Sequence, residues 1–268
     1  MSRARVGAYA VWQLRDYLKD RGVPTVIVAT LSAYLSLSGI FEPRVREPIM
    51  SILRARFDTA EAVQAAWMTH VNHAFLSTTL NALVFVGALF AMNGIVANDR
   101  KLGFYRFLFA KPITPSRYYG QAFLVHWAGF MLVTTILGVL YGAILSPIVT
   151  QRLLVAIALM FVAYAGIAFL LSAAARWDWL SLVAAAVTAT LLWDRFGASS
   201  HPIAKLLYLL PPLHRANEVY LSVSGPPVIG SASPGGIPWA LLAWLTGYGV
   251  LCYLAGLIVL RYRRLAII

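Results

Sequence analysis

The stretch LLVAIALMFVAYAGIAFLLSAAA, residues 153–175, decides the fold. Its 23 residues include no Asp, Glu, Lys or Arg. A helix needs roughly 20 such residues to cross the hydrocarbon core of a bilayer. Inside that core each segment must satisfy its own backbone hydrogen bonds. The stretch therefore predicts a membrane-spanning helix. Working outward, residues 23–41, 74–97, 118–146, 179–193 and 239–260 are equally free of charge, so the chain reads as an all-α membrane domain of six spans, the fifth of them short. Residues 1–22 predict an amphipathic helix on the cytoplasmic leaflet, with Val11, Leu14 and Leu18 along one face. Glu42 to His73 form an external segment with an amphipathic stretch around Thr59 to Met68. In residues 194–238 the run Leu206-Leu207-Tyr208-Leu209-Leu210 is too short to cross and too apolar for a solvated loop. That region reads as external re-entrant or interfacial helices.

Composition agrees. Of 268 residues, 60% are hydrophobic and 12% charged, with a mean hydropathy of +0.73. A soluble domain carries about a quarter charged residues, so a water-soluble globule is excluded. The net charge of +12 would suggest nucleic acid on a soluble chain, but its positions decide otherwise. Fourteen of the 22 Lys and Arg fall at the two termini, in residues 98–117 and at Arg176, against eight on the opposite side. The positive-inside rule then places both termini in the cytoplasm, with no nucleic-acid partner. No cleavable signal peptide is expected, because the first apolar run begins only near Val23. A lone cysteine, Cys252, excludes an internal disulfide and a Cys-cluster metal site. His70 and His73 lack further ligands nearby, so no metal is expected there.

The most informative loop is NDRKLGFYRFLFAKPITPSRYYGQ, residues 98–121. Asp99, Gly103 and Arg106 share one helical face, aromatic residues cover much of the rest, and Pro112 and Pro115 stop the helix before the next span. The pattern resembles the signature of type-2 ABC export permeases: acidic-basic-x-x-Gly, a Leu-rich stretch, Pro-Ile, then a later glycine. Asp99 stands at the acidic position, Gly103 at the glycine, Phe107 and Leu108 at the apolar pair, Pro112 and Ile113 at the Pro-Ile step, and Gly120 at the later glycine. Lys101 and Gln121 depart from it, standing where a second acidic residue and a lysine are common.

The resemblance implies an ABC exporter permease subunit of a bacterial inner membrane. Asp99, Arg100, Lys101, Leu102, Gly103, Phe104, Tyr105, Arg106, Phe107 and Leu108 would form the coupling helix that docks on an ATPase subunit, and Pro112, Pro115 and Gly120 would turn the chain into the third span. Two ATPase copies and a second permease copy, identical or sibling, are the implied partners besides the lipid bilayer. The chain has no phosphate-loop motif, so it holds no cofactor of its own, and ATP and Mg would sit on the ATPase. Spans two and five would line the path, through Ser77, Thr78, Asn81, Asn93, Thr188 and Thr190; plain interhelical hydrogen bonding is the alternative for these residues. Spans free of ionisable residues argue against a gradient-driven carrier. They favour a hydrophobic or amphipathic substrate such as a drug-like compound, a lipid or a lipid-linked glycan. The rival reading is an integral-membrane enzyme acting on lipids at the outer interface, with His201, His214, Glu218 or Asp194 in acid–base roles.

Overall fold

A computed structural model describes residues 3–101, 114–174, 179–197, 207, 210, 213–223 and 238–263. It is all-helical, with no strand among the described residues. Helices α1 (Arg3–Tyr17) and α2 (Val23–Phe41) are joined through a five-residue π turn, Leu18–Gly22. Helices α3 (Pro43–Arg56) and α4 (Ala60–Phe75) follow, and a second π turn, Leu76–Leu80, runs directly into α5 (Asn81–Lys101). The remainder is α6 (Pro115–Ile144), α7 (Gln151–Ala174), α8 (Trp179–Phe196), a 3-10 turn Leu213–Arg215, α9 (Ala216–Val223) and α10 (Trp239–Arg263).

Among the described residues, four helical stretches are long and apolar enough to cross a membrane: Ala10–Phe41, Pro115–Ile144, Gln151–Ala174 and Trp239–Tyr262. Their outer faces keep aliphatic side chains exposed, among them Leu132, Ile136, Val139 and Leu140 on α6 and Leu251, Leu254 and Ile258 on α10. Apolar surface of that extent suits a bilayer rather than water. The second and fifth expected spans are also helices, α5 and α8. Ser77, Thr78 and Thr79 occupy the π turn that leads into α5. In α8, Asp194 and Arg195 occupy the last turn. The N-terminal helix also differs from expectation. It does not end before the first span: Tyr17 to Val23 keep right-handed helical backbone, so the two are one rod with a π turn inside.

Helix α7 is the axis of the bundle, with about two-thirds of its apolar window buried. It packs chiefly on α10 and α5. Without a hydrophobic force between helices in lipid, close approach depends on small residues, and the α7–α10 crossing is built from them. A Cβ on Gly249 would stand 2.5 Å from Ala163 Cα and 2.6 Å from the Val162 carbonyl oxygen, and one on Gly256 would stand 2.7 Å from the Phe169 ring. A Cβ on Gly166 would run into the backbone of Gly249. Helix α1 docks on α6 the same way, its buried Tyr17 ring lying over Gly129.

The segment expected to be external is a helical hairpin, α3–α4, with a small core of Met50, Leu53, Val63, Ala66, Trp67 and Val71. Thr59 caps α4, its Oγ1 accepting from the Ala62 amide at 3.2 Å. The Arg46 guanidinium lies over the Trp67 ring at 5.9 Å. In the region expected to be re-entrant, α9 packs one face on the bundle: Ala216, Val219 and Tyr220 are fully buried against α7 and the second π turn, while Asn217 and Glu218 stay exposed.

Candidate functional site

The second π turn and the start of α5 divide the molecule's interior. One face carries Ser77, Asn81, Ala82 and Phe85, which line a cleft completed by Tyr164 of α7, Ala186 and Thr190 of α8, Leu213 and Asn217. The cleft has a volume of about 440 Å³. All of its polar groups are uncharged: hydroxyls, carboxamides and one phenol. The Tyr164 hydroxyl donates to Asn81 Oδ1 at 2.8 Å, and Phe85 stands edge-on to the Tyr164 ring at 5.3 Å. Ser77 and Thr190 return their hydroxyls to their own helices, to the Ala74 and Ala186 carbonyls, both at 2.9 Å. Beside the cleft's residues on α9, the fully buried Tyr220 hydroxyl has no hydrogen-bond partner.

Three of the six residues expected to line a path, Ser77, Asn81 and Thr190, therefore meet in one cleft. Thr188 is exposed and is not part of its lining. The side chains of Thr78 and Asn93 lie outside the described residues. Sequence reasoning missed Tyr164 and Asn217. Tyr164 is the only residue with both a ring and a hydroxyl in the 153–175 run, and that was the available signal. Asn217 carried none.

The opposite end of α5 holds a second polar cluster. Asp99 Oδ2 accepts from the Tyr119 hydroxyl of α6 at 3.2 Å. Burial pushes the Asp99 carboxyl up to about 6, against smaller downward pulls from the Tyr119 hydrogen bond and the Arg21 charge. Arg21, at the end of the first π turn, reaches across to α5, where its Nη1 donates to the Phe90 carbonyl at 2.9 Å and to the Ala91 carbonyl. The same Ala91 oxygen accepts from His126 Nδ1 at 2.8 Å, which fixes the proton on that nitrogen because a carbonyl only accepts. Tyr17 packs on His126 with ring centroids 5.0 Å apart. The N-terminal helix is thus tied to the middle of α5.

Of the expected coupling residues, Asp99, Arg100 and Lys101 end α5, one turn beyond the uncharged run. Leu102, Gly103, Phe104, Tyr105, Arg106, Phe107 and Leu108, with Pro112, lie outside the described residues. Pro115 opens α6, where a missing amide hydrogen costs nothing. Gly120 faces Tyr253 of α10, whose hydroxyl would lie 3.6 Å from a Cβ there.

Two residues of the rival enzyme reading, His214 and Glu218, are engaged. Both Glu218 carboxylate oxygens accept from Arg215, at 2.8 and 2.7 Å, and this hydrogen bond holds the Glu218 carboxyl below its ordinary value. His214 stacks on Trp193 at 4.5 Å, and burial lowers its basicity. His201 lies outside the described residues. Among the described residues no group of three or more His, Cys, Asp or Glu comes together to hold a metal. Compared with known protein families, curated proteins and solved structures, the chain matches none of them.

Proposed function

We propose that the chain is the permease subunit of an ATP-driven exporter, with six spans, both termini cytoplasmic, working as a homodimer or sibling pair in a bacterial inner membrane. The observation that carries this reading is the uncharged cleft where Ser77 and Asn81 meet Thr190. A cleft of neutral polar groups beside Phe85 and Leu213 suits a hydrophobic or amphipathic solute. Support for a separate motor comes from Asp99, which is held at the root of the 98–117 loop by Tyr119. ATP and Mg belong to the partner ATPase, whose closure would act through that loop on α5 and α6 as a rigid-body movement.

The test is to co-express the chain with a phosphate-loop ATPase sought in the neighbouring reading frames, purify the complex and reconstitute it in liposomes with a panel of lipophilic dyes. Asp99→Lys is expected to abolish ATPase co-purification. Asn81→Leu is expected to leave co-purification intact and reduce dye export at least tenfold. No ATPase binding by the native chain, or a silent Asp99→Lys, would refute the exporter reading.

A further inference from the structure

A separate cavity lies on the other face of the segment that bears the cleft. Leu76, Thr79, Leu80 and Leu83 point into it, whereas Ser77, Asn81, Ala82 and Phe85 face the cleft. Helix α2 closes it with Ala29, Ala33 and Leu37, and α6 with Thr134, Leu137 and Gly138. Its volume is about 230 Å³. That is about half as much again as engineered cavities of ~150 Å³ lined by Leu, Ile and Phe, which stay dry and take up benzene.

Water is a poor occupant. A buried water needs two to four polar partners, and the walls here are almost wholly aliphatic. The Thr79 hydroxyl is already bonded to Ser36 Oγ at 2.9 Å. One group does ask for a partner: the Thr134 hydroxyl, in a residue only 5% exposed, has none. A threonine in mid-helix ordinarily returns its hydroxyl to its own helix. With one orphan hydroxyl at its inner end and apolar walls elsewhere, the cavity suits a long apolar body rather than water.

The mouth says where such a body comes from. Thr30 of α2 and Ile144 of α6 line the cavity and are also exposed, Ile144 by 79%. The faces that flank the mouth are aliphatic, with Val26, Ile27 and Leu31 on α2 and Leu140 on α6 all exposed. The lipid-facing surface is thus continuous with the interior. We propose that this cavity is a binding site for one acyl chain of a bilayer phospholipid, entering between α2 and α6. The proposal does not depend on the exporter reading.

The probe is a phosphatidylethanolamine with a diazirine at the middle of one acyl chain, mixed into liposomes holding the full chain. After photolysis, labelled residues are located by peptide mass spectrometry. Labelling of inward residues Leu80, Leu83, Leu137 and Ile157, alongside the outward Leu132 and Ile136, is the expected result. Ala33→Phe should fill the space and cut the inward label at least fivefold while leaving the outward label unchanged, which also reports that the variant is folded. Ala29→Leu serves the same end with a smaller side chain. Label confined to outward residues, or inward label indifferent to both cavity-filling variants, would overturn the proposal.

Discussion

Placing a methyl group on Gly249 tests the packing on which the whole bundle turns. In a water-exposed helix, Gly→Ala gains about 1 kcal/mol in propensity. Here the new Cβ would stand 2.5 Å from Ala163 Cα and 2.6 Å from the Val162 carbonyl oxygen. Ordinary contact begins near 3.4 Å, so α10 must back away from α7 by roughly 0.9 Å. The obstructing atoms are backbone, and no rotamer change relieves them. A gap of 0.5–1 Å forfeits a quarter to a half of each dispersion contact along the seam, and overpacking of a close-packed interior costs about 1–3 kcal/mol. Because the obstructing atoms are backbone, the cost falls at the upper end of that range, and with the propensity gain subtracted Gly249→Ala should destabilise the chain by about 2 kcal/mol. At about 2–4 °C per kcal/mol for a chain of comparable size, its unfolding midpoint in lipid nanodiscs should fall by about 6 °C. Gly247→Ala is the internal control: it lies on the same helix with nothing within 4 Å of its Cβ. It should be neutral or slightly stabilising. Equal midpoints for the two variants would refute the backbone-contact account of the α7–α10 crossing.

Asp99→Asn should raise stability at pH 7–8 and make no difference below pH 4. The native carboxyl, held near 6 by burial against an ordinary 3.8, binds its proton more tightly when folded. Stability is therefore lost as pH climbs from about 4 through 6 and stays low above it, and chemical denaturation at several pH values would expose the trend. Tyr164→Phe removes the 2.8 Å bond to Asn81. Interhelical hydrogen bonds in membranes average about 0.6 kcal/mol, so a small loss of stability is expected, with a larger effect on any solute bound in the cleft, read by tryptophan-fluorescence titration. Thr59→Ala should cost about 1 kcal/mol by uncapping α4, and loss of helicity in the hairpin would appear as faster amide exchange across Ala60–Phe75. Arg21→Met should free the N-terminal helix from the Phe90 and Ala91 carbonyls, detectable as new proteolytic sensitivity near Lys19.

Much of the fold was legible because charge-free runs and helix ends coincide. The expected 153–175, 118–146 and 239–260 spans match α7, α6 and α10 to within three residues. Continuity was not legible. Charges at Lys19, Asp20 and Arg21 read as a boundary, whereas a π turn carries the helix through them. Arg21 is satisfied by two carbonyls of α5 that lie 69 and 70 positions away in sequence, which no local pattern announces. At the cleft, the polar residues of the second and fifth runs were visible by type. That Ser77, Asn81 and Thr190 converge, and Thr188 does not, depends on the rotation of α8 about its axis. Helical period fixes that rotation only relative to neighbours, and the neighbours here are nearly uniform in hydropathy. The cavity at Thr134 was invisible for the opposite reason: an absence of atoms leaves no mark on the residues that surround it.

The Leu76–Leu80 turn is a partition wall between two chambers. Four of the residues from Leu76 to Phe85 face one chamber and four the other. A wall of fixed thickness cannot widen one room without narrowing its neighbour. Whatever swells the greasy chamber therefore crowds Ser77 and Asn81, and a solute seated beside Asn81 squeezes the tail room behind it. With the proposed acyl chain in place, the composition of the surrounding lipid would become a setting on the size of the polar chamber.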